Sequence, residues 1–333
     1  MWVNDAVLEG TALSEDVRHD WTTEEVEALY HLPLPELLFR AQSLHRRHHD
    51  PAEVQRCTLL SIKTGGCPED CGYCPQSAHY DTGVGRTGVL SVAEVVAAAR
   101  EAKDAGSTRF CMGAAWRDVK DGAAFDQVLE MVSAVAETGM EVCTTLGMLD
   151  ASQARRLKQA GLTAYNHNLD TSPEFYPSIV TTRTYQERLD TLARVAEAGI
   201  SACCGGIVGM GESPRDRCAL LAQLGRLDPH PESLPVNLLV RAAGTPLEGA
   251  PDLDPLELVR TVACARIVAP RARVRLSAGR LSLTPEAQAL CLMAGANSIF
   301  SGDRLLTTPN PAVSEDEQLM TRLGLRFAAS AAP

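Results

Sequence analysis

Eight short apolar, β-branched runs, separated by helical patterns rich in Ala, Leu, Glu and Arg, predict an α/β fold. The expected form is a parallel (βα)8 TIM-type barrel with an N-terminal helical extension and a short C-terminal segment. Glycines that stop the helices support it: Gly106, Gly139, Gly161 and Gly199 lie 33, 22 and 38 residues apart. The step to Gly295 is 96 residues, three units of 32, with two more strand candidates inside it. The 333 residues suit a barrel of about 250 residues plus extensions. The expected division is a helical extension over 1–50, the barrel over 51–302, and a closing segment over 303–333.

In the extension, Thr22-Thr23-Glu24-Glu25 resembles a capping box ahead of a helix over Glu24–Tyr30. A second helix runs from Pro35 to about His48 and stops at Asp50-Pro51. His45, Arg46, Arg47, His48 and His49 read as basic residues complementing its C-terminus. Strands are expected at Thr58–Lys63, Thr108–Met112, Met140–Thr144, Ala164–Asn168, Ile200–Gly206, Pro235–Val240, Ala272–Leu276 and Ser298–Phe300. Helices are expected at 91–104, 123–138, 151–160, 184–198, 214–226, 255–268 and 284–294. Ser91 with Glu94 and Thr184 with Glu187 fit capping boxes. Ser213-Pro214, Asp254-Pro255 and Thr284-Pro285 put a cap before a proline at the first helical position. A short helix around Glu315–Leu323 precedes the end AASAAP, which reads as disordered.

Composition narrows the function classes. With 45% hydrophobic residues the chain is not a disordered one. No apolar run of ~18 residues suggests a transmembrane helix. The opening MWVNDAVLEG lacks the basic and apolar regions of a secretory signal. A net charge of −11, without a polybasic stretch, argues against nucleic acid and membrane surfaces. Eleven cysteines, an odd number in a chain that reads as cytoplasmic, argue against a disulfide framework.

Cysteine spacing carries the chemistry. After the first strand comes Cys67-Pro68-Glu69-Asp70-Cys71-Gly72-Tyr73-Cys74, a C-x3-C-x2-C loop. In a barrel this loop falls at the C-terminal face, where active sites are built. Structural zinc asks for four protein ligands, and no further Cys or His follows at knuckle spacing, His79 being the nearest. Three thiolates favour an iron–sulfur cluster that keeps one iron open to a substrate or cofactor.

This loop resembles that of the radical S-adenosylmethionine superfamily. With Pro75-Gln76-Ser77, Tyr165-Asn166-His167-Asn168-Leu169-Asp170-Thr171, Val274-Arg275-Leu276-Ser277-Ala278-Gly279-Arg280 and Gly295-Ala296-Asn297-Ser298-Ile299-Phe300, the chain closely resembles the biotin synthases within it, over roughly residues 50–311. The resemblance implies a [4Fe-4S] cluster on Cys67, Cys71 and Cys74, whose fourth iron is chelated by S-adenosylmethionine. Reductive cleavage of that cofactor would give methionine and a 5′-deoxyadenosyl radical able to take hydrogen from an unactivated carbon, chemistry that no side-chain acid or base performs.

Cys111, Cys143 and Cys203 lie in different strands, and Arg275 lies in a fourth. Singly, the cysteines read as core fillers. An arginine facing a barrel interior changes that, because a buried charge needs a partner and a thiolate-rich cluster supplies one. The resemblance assigns Cys111, Cys143, Cys203 and Arg275 to a [2Fe-2S] cluster that donates sulfur to dethiobiotin. Cys204 adds a second thiol beside Cys203. Strand alternation lets one of the two face the cluster, and Cys203 is preferred. Cys57, Cys218, Cys264 and Cys291 read as packing residues.

The ureido ring of dethiobiotin asks for amide-type partners, which Asn166, Asn168 and Asn237 can supply. Tyr73, Asn168 and Asp170 are implied contacts of S-adenosylmethionine, and His167 has no assigned role. The resemblance also implies a homodimer and a flavodoxin- or ferredoxin-type electron donor. The competing readings are an [FeFe]-hydrogenase maturase or methylornithine-type mutase, which need not keep Cys111, Cys143, Cys203 and Arg275 together, and a non-enzymatic iron–sulfur or zinc protein.

Overall fold

The computed structural model describes residues 17–329. The opening MWVNDAVLEG and the last four residues of AASAAP lie outside them. Two helices lead, α1 (Thr23–Tyr30) and α2 (Leu34–His48). Then strands and helices alternate: β1 (Glu53–Lys63), α3 (Val92–Asp104), β2 (Arg109–Ala114), α4 (Ala123–Ala136), β3 (Glu141–Thr145), α5 (Ala151–Gln159) and β4 (Ala164–Asn166). The second half runs α6 (Tyr185–Glu197), β5 (Ser201–Cys203), β6 (Gly206–Val208), α7 (Pro214–Gly225), β7 (Ser233–Leu238), α8 (Pro255–Val268), β8 (Arg273–Leu276), α9 (Pro285–Met293) and β9 (Ser298–Phe300). A hairpin of β10 (Arg304–Leu305) and β11 (Thr308–Pro309), then α10 (Val313–Leu323) and β12 (Arg326–Phe327), complete the chain.

The strands from β1 to β9 pair in parallel around a closed ring. Closure comes from β1 meeting β9, with Gln55, Arg56 and Cys57 opposite Ser298, Ile299 and Phe300. All eight expected strands are present, with two differences. First, β1 starts at Glu53, before the expected Thr58. Second, the expected strand over Ile200–Gly206 is split into β5 and β6, which occupy one position against β7. At the split, a Cβ on Gly205 would stand 1.9 Å from the Pro235 carbonyl oxygen, so this approach of the two strands requires glycine.

The helix signals act as expected. Thr22, Ser91, Thr184 and Ser213 close capping boxes, and Asp254 and Thr284 cap helices that begin with proline. The five stop glycines take φ between 71° and 103°, where a side chain would be strained.

Two apolar layers hold the helices to the outside of the ring. One joins Val95, Phe110, Phe125, Val128, Met131 and Val142; the other joins Leu37, Leu221, Leu224, Leu258, Val262 and Val274. Inside the ring the chemistry changes. There Cys57, Cys111, Cys143, Ala164 and Cys203 pack with Phe300 and Leu305. Barrels of this kind are ordinarily filled by bulky branched residues; small and sulfur side chains leave space at the C-terminal end.

The extension buttresses α7 and α8. Tyr30 meets Glu257 and Arg217 at 2.8 Å each. Arg46, Arg47 and His48 lie in the last turn of α2 as expected, but the basic reading of His45 and His49 needs correction. His45 is buried and stacks on His49 with ring centroids 5.3 Å apart. Burial, with the nearby Arg266 cation, pushes both imidazoles down to about 3. They are neutral, so neither complements the helix dipole.

The closing segment folds back on the barrel. β12 extends β1, with Glu53 opposite Arg326. Arg280, after β8, holds Asp316 of α10 through bonds of 2.6 and 3.0 Å, with both side chains almost wholly buried. Removing one member of such a pair strands the other charge, so Asp316→Ala is expected to cost about 3–5 kcal/mol of stability in urea unfolding.

Candidate active site

A cavity of about 320 Å³ opens at the C-terminal ends of the strands. Cys67 and Cys74 line one wall, and Cys111, Cys143, Cys203 and Arg275 form its depth. Asn166, Asn168, Asn237 and Tyr73 also line it. The cavity thus unites residues that the sequence spreads over more than two hundred positions.

The cysteine loop is held by its own acids. The Asp70 carboxylate accepts the backbone N–H groups of Thr181 at 2.9 Å and Thr182 at 3.2 Å, and the Thr182 hydroxyl at 2.9 Å. Burial alone would raise its pKa; a hydrogen bond from the Thr181 hydroxyl, together with these three, outweighs burial and holds the carboxyl down at about 2. Glu69 is buried and meets Arg117 at 2.9 Å and Arg183 at 3.3 Å. Within the loop, Cys74 N–H donates to the Cys71 carbonyl and Cys67 N–H to the Gln76 carbonyl, each at 2.9 Å. Cys71 sits deeper than its two partners, against Tyr176, Ile179, Val180 and Met210. Burial pushes all three thiols up, Cys74 to about 11. Among the described residues, no group of three or more His, Cys, Asp or Glu is arranged around a single metal ion. The donor set is nonetheless soft sulfur throughout, which suits an iron–sulfur cluster.

The second set lies deeper. Cys111 and Cys143 are register partners on β2 and β3, and Cys203 lies opposite Asn166 on β5. The Arg275 guanidinium is 1% exposed. Its Nη1 donates to the Cys203 sulfur at 3.6 Å, its Nη2 to the Cys57 sulfur at 3.4 Å, and its Nε to the Ser298 hydroxyl at 3.0 Å. No carboxylate among the described residues pairs with it. A buried cation among thiols favours anionic sulfur, and the thiols divide: burial pushes Cys57 up to about 11 and hydrogen bonds to Cys111 and Cys203 raise Cys143, while Cys203 and Cys111 are lowered. Hydrogen bonding from Cys143, then the Arg275 charge, holds the Cys203 thiol well below its usual range. Cys111 is lowered by the same two influences. Cys204 faces the other way, into the outer apolar layer, and burial raises it.

Cys57 departs from its expected packing role, since it joins the interior thiols beneath Arg275. The reason is the early start of β1: a strand beginning at Thr58 omits Cys57, while one from Glu53 turns it inward with Leu59. Cys218, Cys264 and Cys291 pack in the outer core as expected.

The polar residues divide. Asn166 donates to the Cys203 sulfur at 3.3 Å and accepts from Thr145 at 3.1 Å. Asn168 accepts the Gly205 N–H at 3.1 Å. Asn237 ties the Gly206 carbonyl at 2.9 Å to the Ala278 N–H at 3.2 Å. Asp170 stands apart from the cavity wall. One oxygen of its buried carboxylate, Oδ2, accepts from both Arg188 at 2.5 Å and the Tyr73 hydroxyl at 2.9 Å. His167 turns outward and is buried and neutral, its Nε2 without a partner.

Sequence reasoning missed three features besides Cys57. Arg188, on α6, carries no motif; its signal is only that Asp170 needs a counter-charge. Glu69 and Asp70 signal an anchor, because two acids inside a cofactor loop need partners. Leu305, Leu306, Thr307 and Thr308 line the cavity from the hairpin after the last strand, where no pattern marks them.

Family models match two stretches: the Radical SAM superfamily over residues 61–224 and the Biotin and Thiamin Synthesis associated domain over residues 235–326. The biotin synthase of Sorangium cellulosum is 62% identical, over 95% of this chain and 90% of its own. That of Beijerinckia indica is 63% identical, over 93% and 97%. Among solved structures, methylornithine synthase aligns with a TM-score of 0.77 at 20% identity, covering 97% of this chain and 96% of its own. The [FeFe]-hydrogenase maturase HydG aligns at 0.79 with 17% identity, over 93% and 72%. These two similarities speak to the fold.

The Asp70 anchor generates a pH prediction. Its carboxyl is lower in the folded chain than its ordinary 3.8, so the stabilisation is full above pH ~4 and is lost as pH falls toward 2. Asp70→Asn is expected to unfold more easily at pH 7 by about 1–2 kcal/mol, with that difference shrinking on acidification, read by thermal melts across pH.

Proposed function

The chain belongs to the biotin synthase family, radical S-adenosylmethionine enzymes of the sulfurtransferase class, and from that premise we propose that it inserts sulfur into dethiobiotin to form biotin. The observation that carries this reading is the single cavity shared by the cysteine loop and the interior thiols with Arg275.

In this reading Cys67, Cys71 and Cys74 hold a [4Fe-4S] cluster, and Cys111, Cys143 and Cys203, with Arg275, hold a [2Fe-2S] cluster. Bound there, the first cluster would supply one-electron reducing chemistry toward S-adenosylmethionine and the second would supply sulfide. The residues do the positioning. Glu69 and Asp70 fix the loop that presents three sulfurs. Asp170, held by Arg188, fixes Tyr73 at the cofactor side, with Asn168 beside it. Asn166 and Asn237 offer amide groups to the neutral ureido ring. The apolar walls, including Leu305 and Leu306 from the closing segment, offer the aliphatic part of the substrate a dry surface and hold it in place.

The 51–302 segment carries both cluster sites, Leu305, Leu306, Thr307 and Thr308 of the closing segment supply part of the cavity wall, and α1 and α2 of the extension buttress the barrel. A homodimer and a flavodoxin- or ferredoxin-type electron donor complete the proposal. All eleven cysteines are free, which suits the reducing cytoplasm. Among the described residues no helix is long and apolar enough to cross a membrane.

Anaerobic incubation of the reconstituted chain with dethiobiotin, S-adenosylmethionine and a reductant should yield biotin and 5′-deoxyadenosine. Deoxyadenosine without biotin would point instead to another radical chemistry, and neither product from a fully loaded chain would leave a non-catalytic iron–sulfur protein. Cys111→Ala should keep the [4Fe-4S] absorption and lose that of the [2Fe-2S] cluster; loss of both, or of neither, sinks the interior assignment.

A further inference from the structure

We infer that Cys57 is a positioning residue for Arg275: with Ser298 it forms a rear clamp that holds the guanidinium with its Nη1 edge against the Cys203 sulfur. The inference rests on the reading above, in which Arg275 and the interior thiols form an iron site.

The clamp is visible from three sides. Arg275 meets Ser298 through Nε at 3.0 Å, Cys57 through Nη2 at 3.4 Å and Cys203 through Nη1 at 3.6 Å. Two of these partners lie behind the guanidinium, and one lies in front. Cys203 lines the cavity, whereas Cys57 does not. Cys57 therefore acts through Arg275.

The rear of the clamp is itself anchored. Ser298 stands 3.7 Å from the Cys57 sulfur and donates to the Gln55 side-chain oxygen at 3.1 Å. Gln55 donates to Glu141 at 3.1 Å, and Glu141 accepts from Arg109 at 2.8 Å. A hydrogen-bonded line thus runs from the floor of the barrel to Arg275. The Phe300 ring adds a wall 4.7 Å from the guanidinium carbon.

An arginine reaching from β8 has a long, flexible stem, so its head is placed only as well as its partners place it. Sulfur suits the rear position. It accepts from Nη2 at 3.4 Å, and as a weak acceptor it leaves the guanidinium free to face Cys203. Hydrogen bonds and charge at cluster sulfurs set how firmly such a site keeps its iron and at what potential it works. By this route Cys57 governs the interior site through Arg275 rather than as one of its ligands.

The test uses the full chain, reconstituted anaerobically with iron and sulfide, as wild type, Cys57→Ala, Cys57→Ser and Ser298→Ala. The readouts are the Mössbauer and visible circular-dichroism signals of the two-iron site, the rate at which a chelator removes its iron, and the four-iron signal as internal control. Cys57→Ala and Ser298→Ala should alter the dichroism and speed iron loss about 10-fold. Cys57→Ser should retain near wild-type behaviour, because its hydroxyl still accepts from Nη2, and the four-iron signal should stay constant throughout. Cys57→Ala indistinguishable from wild type overturns the inference. So does Cys57→Ser as damaged as Cys57→Ala, which would mean that the sulfur only fills space. Should Cys57→Ala fail to fold, Ser298→Ala makes the same comparison from the other side of the clamp. A wild-type chain showing four-iron signal alone overturns the two-cluster reading, and the inference falls with it.

Discussion

Closure of the sheet is the constraint on which the site depends. β1 and β9 are the first and last strands of the ring, and their register puts Cys57 opposite Phe300. The next pairing puts Arg275 opposite Ser298. Only through these two registers do a β1 thiol and a β8 guanidinium meet. An open sheet of the same strands would leave Cys57 and Arg275 at opposite edges, and the interior would have no depth. The sulfur-lined interior follows from the same constraint, because a closed ring has an inside that its side chains either fill or leave hollow.

Buried charge is the second organising theme. Asp170 pairs with Arg188, Glu69 with Arg117 and Arg183, and Asp316 with Arg280. Each pair ties a loop at the C-terminal end of the barrel to another segment of the chain. Two arginines break the pattern. Arg266 is buried among carbonyl oxygens of Pro270, Ala272 and Gly295, and burial lowers it to about 9. Its role is to fasten the far end of the barrel. Arg275 has sulfur where the others have carboxylate, and it lies where the cavity is deepest. The contrast marks Arg275 as the arginine at the cavity whose partners are thiols.

The fold was legible in the sequence because its signals are local. Stop glycines, capping residues and apolar runs each act within a few positions, and they place the barrel strands and the flanking helices. The cysteine loop was legible for the same reason: three thiols in eight residues need no tertiary knowledge. Cys57, Arg188 and the cavity-lining hairpin were not legible. Cys57 joins the interior only because β1 begins at Glu53, a boundary that the residues before Thr58 do not announce. Arg188 matters because α6 carries it to Asp170, and a helix face does not declare which loop it will meet. The choice between Cys203 and Cys204 lies between these extremes. Alternation says that one of them faces inward, and the register against Asn166 decides which.

The hairpin after β9 has a final consequence. Leu306 sits in the left-handed region, with φ 45°, and reaches over Gly113, where a Cβ would come within 2.8 Å of its side chain. The ceiling of the chamber is thus contributed by a loop outside the repeating strand–helix units that bear the sulfurs. Shape and chemistry are therefore under separate control. A change of a few residues in the hairpin, or a side chain added at Gly113, remodels the space offered to a substrate while every thiol and Arg275 keep their places. The barrel carries the sulfurs and most of the chamber wall, and the appended loop adjusts the ceiling.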